Sequence, residues 1–462
     1  MKLMAKKTKE EKDFEWKTHP DLEKFVNERV SAFLTGNGFA RKLSERMLDE
    51  TSTRFVDWID HMVIPEGNGT EETLRKLGLV EMKDVEKPDG LVVFKHKASY
   101  LFPILVGGGK NTVIALKPEN IDDFIQALGL GIKPEGEPFS HIRYASINKS
   151  GNFILNAIER RGFNGYIEKN SGDVKEYLSV LSSFFCRKRY FEDDKEGLEY
   201  TEDLVLEATK RLDSGRVADA FFRSERAYWQ RKNRSGQIQK ERQDRLGLGW
   251  GNHDHHTYRS SRDNFRHMIT LFETMGYECR EKYYAGEDAG WGAQILEHPV
   301  CDIVVFTDVD LDADETRLNF PHEKFRKKPK KLGTVGLWVG LHGESILQAG
   351  MHHLEARFVF EKLKEDLKEY NVDVMPPFSY FDFLKQAFTR GEFWKVDKSR
   401  LDSLLSKKYI TMQQYDEFLS KGAIGSHMEN LERDQGFKGF NKASVTNIIL
   451  KTDPRRQNAS GA

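Results

Sequence analysis

The sequence predicts an α+β fold built from repeated β-α-β-β-β units with helical insertions. Three observations predict it. Apolar runs of strand length, bounded by Gly, Pro and Asn, alternate with single amphipathic helices. That order restarts several times along the 462 residues, in units of about 60 to 70 residues. The composition, 38% hydrophobic and 31% charged, is that of a globular chain able to bury a sizeable core.

Taken in order, residues 1–50 read as a helical lead-in, lysine-rich over the first 20 and helically periodic over 21–50. A first unit follows, with the strand "TRFVDWIDHMVIPEG", the helix "TEETLRKLGLVE" and the strands "GLVVFKH", "YLFPILVG" and "NTVIALKP". A second starts at "FSHIRYASIN", with "GNFILNAIERRG" expected as its helix and "FNGYIEK" as a strand. These two fill 51–172 as degenerate modules without an evident ligand set. Residues 173–248 read as a helical insertion rich in Arg, Lys and Glu. A third unit opens at "HHTYRS", followed by the helix "SRDNFRHMITLFETMG" and the strands "YECREKYYA", "GWGAQILEHP" and "CDIVVFTDVD". The fourth opens at "GMHHLEARF", continues with the helix "VFEKLKEDLKEY" and "NVDVMPPF", takes a helical insertion over 380–425, and ends on "SVTNIILKT". The last two units make 249–462 the expected catalytic region. The tail "DPRRQNASGA" is expected to be disordered.

The bulk numbers exclude several classes. Lys+Arg (72) and Asp+Glu (73) nearly cancel, so no global field favours nucleic acid or a membrane surface. Three scattered cysteines without CxxC spacing fit neither a disulfide framework nor a zinc ribbon, and point to a cytoplasmic setting. No signal peptide is evident, and no run reaches the roughly 18 apolar residues of a membrane span.

The chemistry concentrates in "GNHDHHTYRSSRDNF". Residues i and i+4 of a strand face the same side, so His255 and Arg259 share a face. "GMHHLEARF" repeats the arrangement with His353 and Arg357. Each run doubles its histidine, as His255–His256 and His352–His353. Two such strands in one curved sheet present two imidazoles and two guanidiniums to one cavity. Imidazoles with a carboxylate bind a divalent metal with open positions, and guanidinium fixes a carboxylate by paired hydrogen bonds. The pattern therefore reads as metal plus organic acid.

Here the sequence resembles the 2-oxoadipate dioxygenase/decarboxylase family, also called 2-hydroxyglutarate synthase, of the vicinal oxygen chelate superfamily. The resemblance rests on His255 four before Arg259, on "LFETMGYE" and "KYYAGEDAGW", and on "HHLEAR" with His353 and Arg357. It covers about 251–300 and 350–440; the first 250 residues have no counterpart in it. It implies β-α-β-β-β modules curling into half-barrel sheets. It also implies a mononuclear iron(II) site, O₂, and a small 2-oxo acid held at the metal and by an arginine. The implied ligands are His255, His353 and a late glutamate after "GSH". "GSHMENLERDQG" offers both Glu429 and Glu432, and the spacing leaves the choice open. Arg259 and Arg357 are the expected carboxylate anchors, with His256, His352 and Glu297 in reserve. The ligand types do not exclude zinc, manganese or nickel.

Other signals are weaker. His61, and His141 with Arg143, read as packing residues. "VGGGKNT" lacks phosphate-loop spacing. "DVDLDADE" fails as a calcium loop, because Ala313 and Asn319 stand where Gly and Glu are required. "HGES" around Ser345 is not a nucleophile elbow. Segment 211–245, with ten Lys or Arg against five Asp or Glu, and the basic loop 321–331 are expected to be solvated faces, so nucleic acid is not an expected partner. Two rivals remain: another metal-dependent enzyme on this scaffold (isomerase, lyase or ring-cleaving dioxygenase), or a non-catalytic ligand- or RNA-binding protein. The oligomeric state is not readable from the sequence.

Overall fold

A computed structural model describes residues 16–107, 109–168, 173–286, 289–325, 331–441 and 453–456. The helical segment expected over 21–50 forms two helices, α1 (Pro20–Gly36) and α2 (Gly38–Thr51). Asn37 separates them. Its extended backbone ends α1, and its side chain accepts from the Ala40 N–H at 3.0 Å to start α2.

The first sheet holds two units. One comprises β1 (Ile59–Ile64), α3 (Thr70–Lys76), β2 (Val80–Glu81), β3 (Leu91–Lys95) and β4 (Ile104–Gly107). The other comprises β5 (Thr112–Leu116), α4 (Ile121–Ala127), β6 (Ile142–Ser150) and β7 (Phe153–Arg160), one strand short of the pattern. The seven strands run β2-β3-β4-β1-β5-β7-β6. β1 is parallel to β4 and antiparallel to β5, and β5 is parallel to β7.

Three expectations are corrected here. "NTVIALKP" opens the second unit instead of closing the first, because β5 pairs with β1 and leads into α4. "GNFILNAIERRG" is not a helix. Gly151 at φ 57° makes a two-residue turn closed by the Ser150–Phe153 pair, which folds the segment back on β6 as β7. "FNGYIEK" is irregular through its described residues.

Four helices follow: α5 (Val174–Cys186), α6 (Asp194–Thr209), α7 (Ser214–Gln230) and α8 (Arg234–Asp244). The second sheet begins with β8 (His253–Arg259), α9 (Phe265–Thr274), β9 (Glu278–Tyr284), β10 (Trp291–Glu297) and β11 (Val304–Asp310), the predicted third unit. α9 forms because Phe265, Met268, Ile269 and Phe272 recur at helical spacing and are buried together.

The apolar stretch "LGTVGLWVGLH" is α10 (Thr334–His342). It is apolar all round because it is buried, and Asp310 accepts from the Gly333 and Gly336 N–H groups at its start. The fourth unit runs β12 (His353–Arg357), α11 (Phe360–Lys368), β13 (Ser379–Phe381), β14 (Leu384–Phe388), β15 (Glu392–Trp394), α12 (Lys398–Ser406), α13 (Met412–Lys421) and β16 (Ala423–Arg433). The stretch 380–425 is thus only partly helical, since it supplies β14 and β15 as well. "SVTNIILKT" lies outside the described residues.

The second sheet runs β13-β14-β16-β12-β8-β11-β10-β9, with β15 paired to β16. β8 is parallel to β11 and antiparallel to β12, and β12 is parallel to β16. This is the connection rule of the first sheet, so the repeat read from the sequence is present in the topology. The two sheets are curled into half-barrels, and the fold is α+β. α7 and α9 pack on one face of the second sheet against Tyr258, Leu354 and Met428. Strand alternation then turns His255, Thr257, Arg259, His353, Glu355, His427 and Glu429 to the other, inner face.

Candidate metal centre

Three adjacent strands build the site. β8 and β12 pair His255 with Glu355, and β12 and β16 pair Glu355 with Glu429. The register therefore sets one imidazole and two carboxyl groups side by side, with ligand atoms all within 4.8 Å of one another. All three are buried, at 3%, 0% and 4% exposure. His255 Nε2 lies 3.6 Å from Glu355 Oε1.

Each group is held from behind. His255 Nδ1 meets Asp254 Oδ1 at 3.1 Å, which fixes the ring and leaves Nε2 facing the carboxyl groups. Asp254 itself accepts from Arg433 Nε and Nη2 and from Arg357 Nε, each at 3.1 Å. The Thr257 hydroxyl donates to Glu355 Oε1 at 2.8 Å, and Gln386 Nε2 donates to Glu429 Oε1 at 3.0 Å. Glu355 Oε2 is buried and accepts no hydrogen bond from any other donor side chain or backbone N–H among the described residues, leaving only Glu429 beside it. Phe306 and Phe440 flank His255, with ring centroids 4.6 and 5.1 Å away.

The electrostatics show what the cluster lacks. Burial pushes the Glu429 carboxyl up to about 8. Burial, then the neighbouring Glu429, holds Glu355 well above the ordinary glutamate range. Burial also lowers His255, against the pull of Asp254. Asp254 stays well below the usual carboxylate range despite its burial, because Arg433, His255 and Arg357 surround it. A dication at the three inner groups would supply the missing positive charge and take the orphaned Glu355 oxygen, so this donor set fits a divalent metal.

Of the residues predicted from sequence, the structure brings His255 and Glu429 together. His353 lies one pleat away, paired with Thr257. Its ring stacks on Phe388 at 4.7 Å and stands 5.6 Å from His427, and its Nδ1 has no hydrogen-bond partner among the described residues. Glu432 does not join the cluster. Three residues on from Glu429, it faces the opposite side, where it accepts from the Phe360 N–H and Lys385. Glu297 is paired with Arg280 and Lys438 on β10. His256 faces the helical layer beside Phe222, and His352 Nδ1 bonds the Gly425 carbonyl. Arg259 stays on the inner face, its Nε 3.7 Å from Asp308 and its Nε and Nη1 without hydrogen bonds among the described residues. Arg357 is engaged with Asp254.

Sequence reasoning missed Glu355. It stands two residues from His353, and the H-x-E-x-R alternation of β12 could have shown it on the ligand face. Among the described residues two other groups of possible ligands occur, His141–Asp173–Asp213 and the exposed Glu273–Cys279–His322; only the inner cluster is wholly buried.

No protein-family model matches this chain, and no curated protein matches it. Solved structures match weakly. A protein from Shewanella frigidimarina NCIMB 400 described as a hydrolase is 14% identical, covers 49% of this chain and 98% of its own, and gives a TM-score of 0.33. A mutant 4-hydroxymandelate synthase from Streptomyces coelicolor is 12% identical over 88% of this chain and 98% of its own, with a TM-score of 0.24. Methylmalonyl-CoA epimerase from Mycobacterium tuberculosis is 11% identical over 40% and 89%, with a TM-score of 0.22. Likeness at this level bears on neither site nor substrate. No helix among the described residues is long and apolar enough to cross a membrane.

Proposed function

We propose that the chain is a metal-dependent dioxygenase of the vicinal-oxygen-chelate type, with iron(II) as its metal and a small 2-oxo acid and O₂ as its substrates. The observation that carries this reading is the buried convergence of His255, Glu355 and Glu429 within 4.8 Å, with one carboxyl oxygen unpartnered. The resemblance of the His255–Arg259 and His353–Arg357 strings to 2-oxo acid dioxygenases supplies the substrate class.

His255 Nε2, Glu355 and Glu429 would hold the metal, and His353 is the neighbouring imidazole. Bound iron(II) supplies a Lewis acid with open positions and electrons for O₂. The chain's own groups do the rest. Asp254 orients His255, Thr257 orients Glu355 and Gln386 orients Glu429. Arg259, its Nε 3.7 Å from Asp308 and its Nη1 without a hydrogen bond among the described residues, would turn its N–H groups to a substrate carboxylate. Phe306, Phe388 and Phe440 line the site with apolar surface that limits water.

The test is anaerobic loading with iron(II), then O₂ uptake with a panel of 2-oxo acids. The reading expects one iron per chain and substrate-dependent uptake, both lost in Glu355→Gln and in Glu429→Gln. Zinc-loaded protein that turns over substrate without O₂ would favour the isomerase or lyase alternative. Metal retention equal to wild type in both variants would remove the proposed ligands.

A further inference from the structure

A second polar site lies between the two sheets. A cavity of about 150 Å³ is lined by β1, β3 and β7 of the first sheet, by α7, and by the approach to β8. Close backbone contact shapes one edge of it: Gly162, at φ 67°, sits so near Gly215 of α7 that a Cβ there would fall 2.0 Å from the Gly215 carbonyl oxygen. The volume accommodates an organic ion of several heavy atoms (a single water needs roughly 10–15 Å³ by this measure).

The lining is charged, and most of it is matched. Arg160 pairs with Asp60 at 2.6 Å, Lys95 with Asp302 at 2.8 Å, and Arg223 with Asp219 at 3.0 Å. Lys117 is left over. Its ammonium lines the cavity and has no hydrogen-bond or ion-pair partner among the described residues. Arg226 is buried at 5% exposure; its Nη2 pairs with Glu119 at 3.7 Å, its Nη1 meets His256 Nε2 at 3.5 Å, and its Nε has no hydrogen-bond partner among the described residues. His253 closes the same cavity, its Nδ1 without a hydrogen-bond partner among the described residues. Burial disfavours the Lys117 charge, and Asp60 and Asp302 offset this only in part, since Arg357 and Arg160 act in the same sense as burial. Five Lys or Arg against four Asp or Glu line the cavity, and this excess of one cation, with the Arg226 Nε donor unused, calls for an anion.

We infer that this cavity binds a small oxyanion, a carboxylate or a phosphate, anchored by Lys117 from the first sheet and Arg226 from α7 beside His253 of β8. The site is separate from the metal cluster, yet it abuts the strand that carries His255 two residues further on. Its occupant ties the first sheet to that strand.

The test is calorimetric titration of the full chain with inorganic phosphate and, separately, with succinate, beside Lys117→Met, Lys117→Arg and His255→Ala. The inference expects one site per chain for at least one anion, a dissociation constant at least tenfold weaker in Lys117→Met, near-wild-type binding in Lys117→Arg, and unchanged binding in His255→Ala. Phosphate without succinate assigns a phosphate ligand, the reverse assigns a carboxylate, and both at one Lys117-dependent site assign a general oxyanion pocket. Lys117→Arg guards against a folding defect in the methionine variant, and unliganded thermal midpoints check both. Binding that survives Lys117→Met overturns the inference, as do absence of binding to both anions and loss of binding in His255→Ala.

Discussion

Asp254→Asn is the most informative single change at the metal cluster. Asp254 Oδ1 takes His255 Nδ1 and Arg433 Nη2, while Oδ2 takes Arg433 Nε and Arg357 Nε. An asparagine keeps one oxygen; its NH₂ then faces either the Arg433 and Arg357 Nε donors or His255 Nδ1 and Arg433 Nη2. Charge-assisted bonds of this kind are worth about 1.5–3 kcal/mol each, and breaking a buried pair costs about 3–5 kcal/mol. Arg433 keeps the Phe437 and Gly439 carbonyls, so the lower end, about 3 kcal/mol of folding stability, is expected. Loss of a group that orients a metal-binding histidine typically weakens the metal about 10–100-fold, or about 1.4–2.7 kcal/mol. The assays are thermal unfolding of metal-free protein and a competitive metal titration. The reasoning is refuted if the variant loses stability but binds metal as tightly as wild type, because Asp254 would then serve the fold alone.

Glu432→Gln leaves metal content unchanged, whereas Glu429→Gln abolishes it; equal loss in both would contradict the facing assigned to β16. Burial pushes Asp308 up to about 7 beside Arg259, so below that pH its carboxyl is neutral and Arg259 is free to bind substrate. The substrate KM should therefore rise as pH rises through about 7, and Asp308→Asn should flatten that profile. The same raised carboxyl costs stability as pH climbs from its unfolded value of about 3.9 towards about 7, so Asp308→Asn should raise the thermal midpoint at pH 7.5 more than at pH 4.5. Gly162→Ala forces a Cβ against the Gly215 carbonyl at a positive φ and should markedly lower the thermal midpoint.

How much of this was legible follows from what each signal depends on. The restarts of strand and helix depend on local periodicity; the topology repeats the first, third and fourth where they were read, and moves the second back to "NTVIALKP". α9 was readable because its apolar residues keep helical spacing. α10 and β7 were not, because a helix buried on all sides and a short apolar strand look alike without their neighbours. His255 and Glu429 were reachable from their strings. Glu355 was hidden because ligand identity here is a matter of cross-strand register. Pairing β8 with β12 sets Glu355, not His353, directly opposite His255. A bulge at Asp254 then turns that residue towards Arg357 and Arg433, and no spacing along one chain segment encodes it.

The most direct test of the central claim is manganese(II) binding followed by electron paramagnetic resonance. Wild type, His255→Ala, Glu355→Gln and Glu429→Gln would be titrated under identical conditions. The account predicts one tightly bound ion per chain in wild type and only free manganese signal with each variant. Tight, stoichiometric binding that persists in Glu355→Gln and Glu429→Gln would contradict it and place the metal elsewhere.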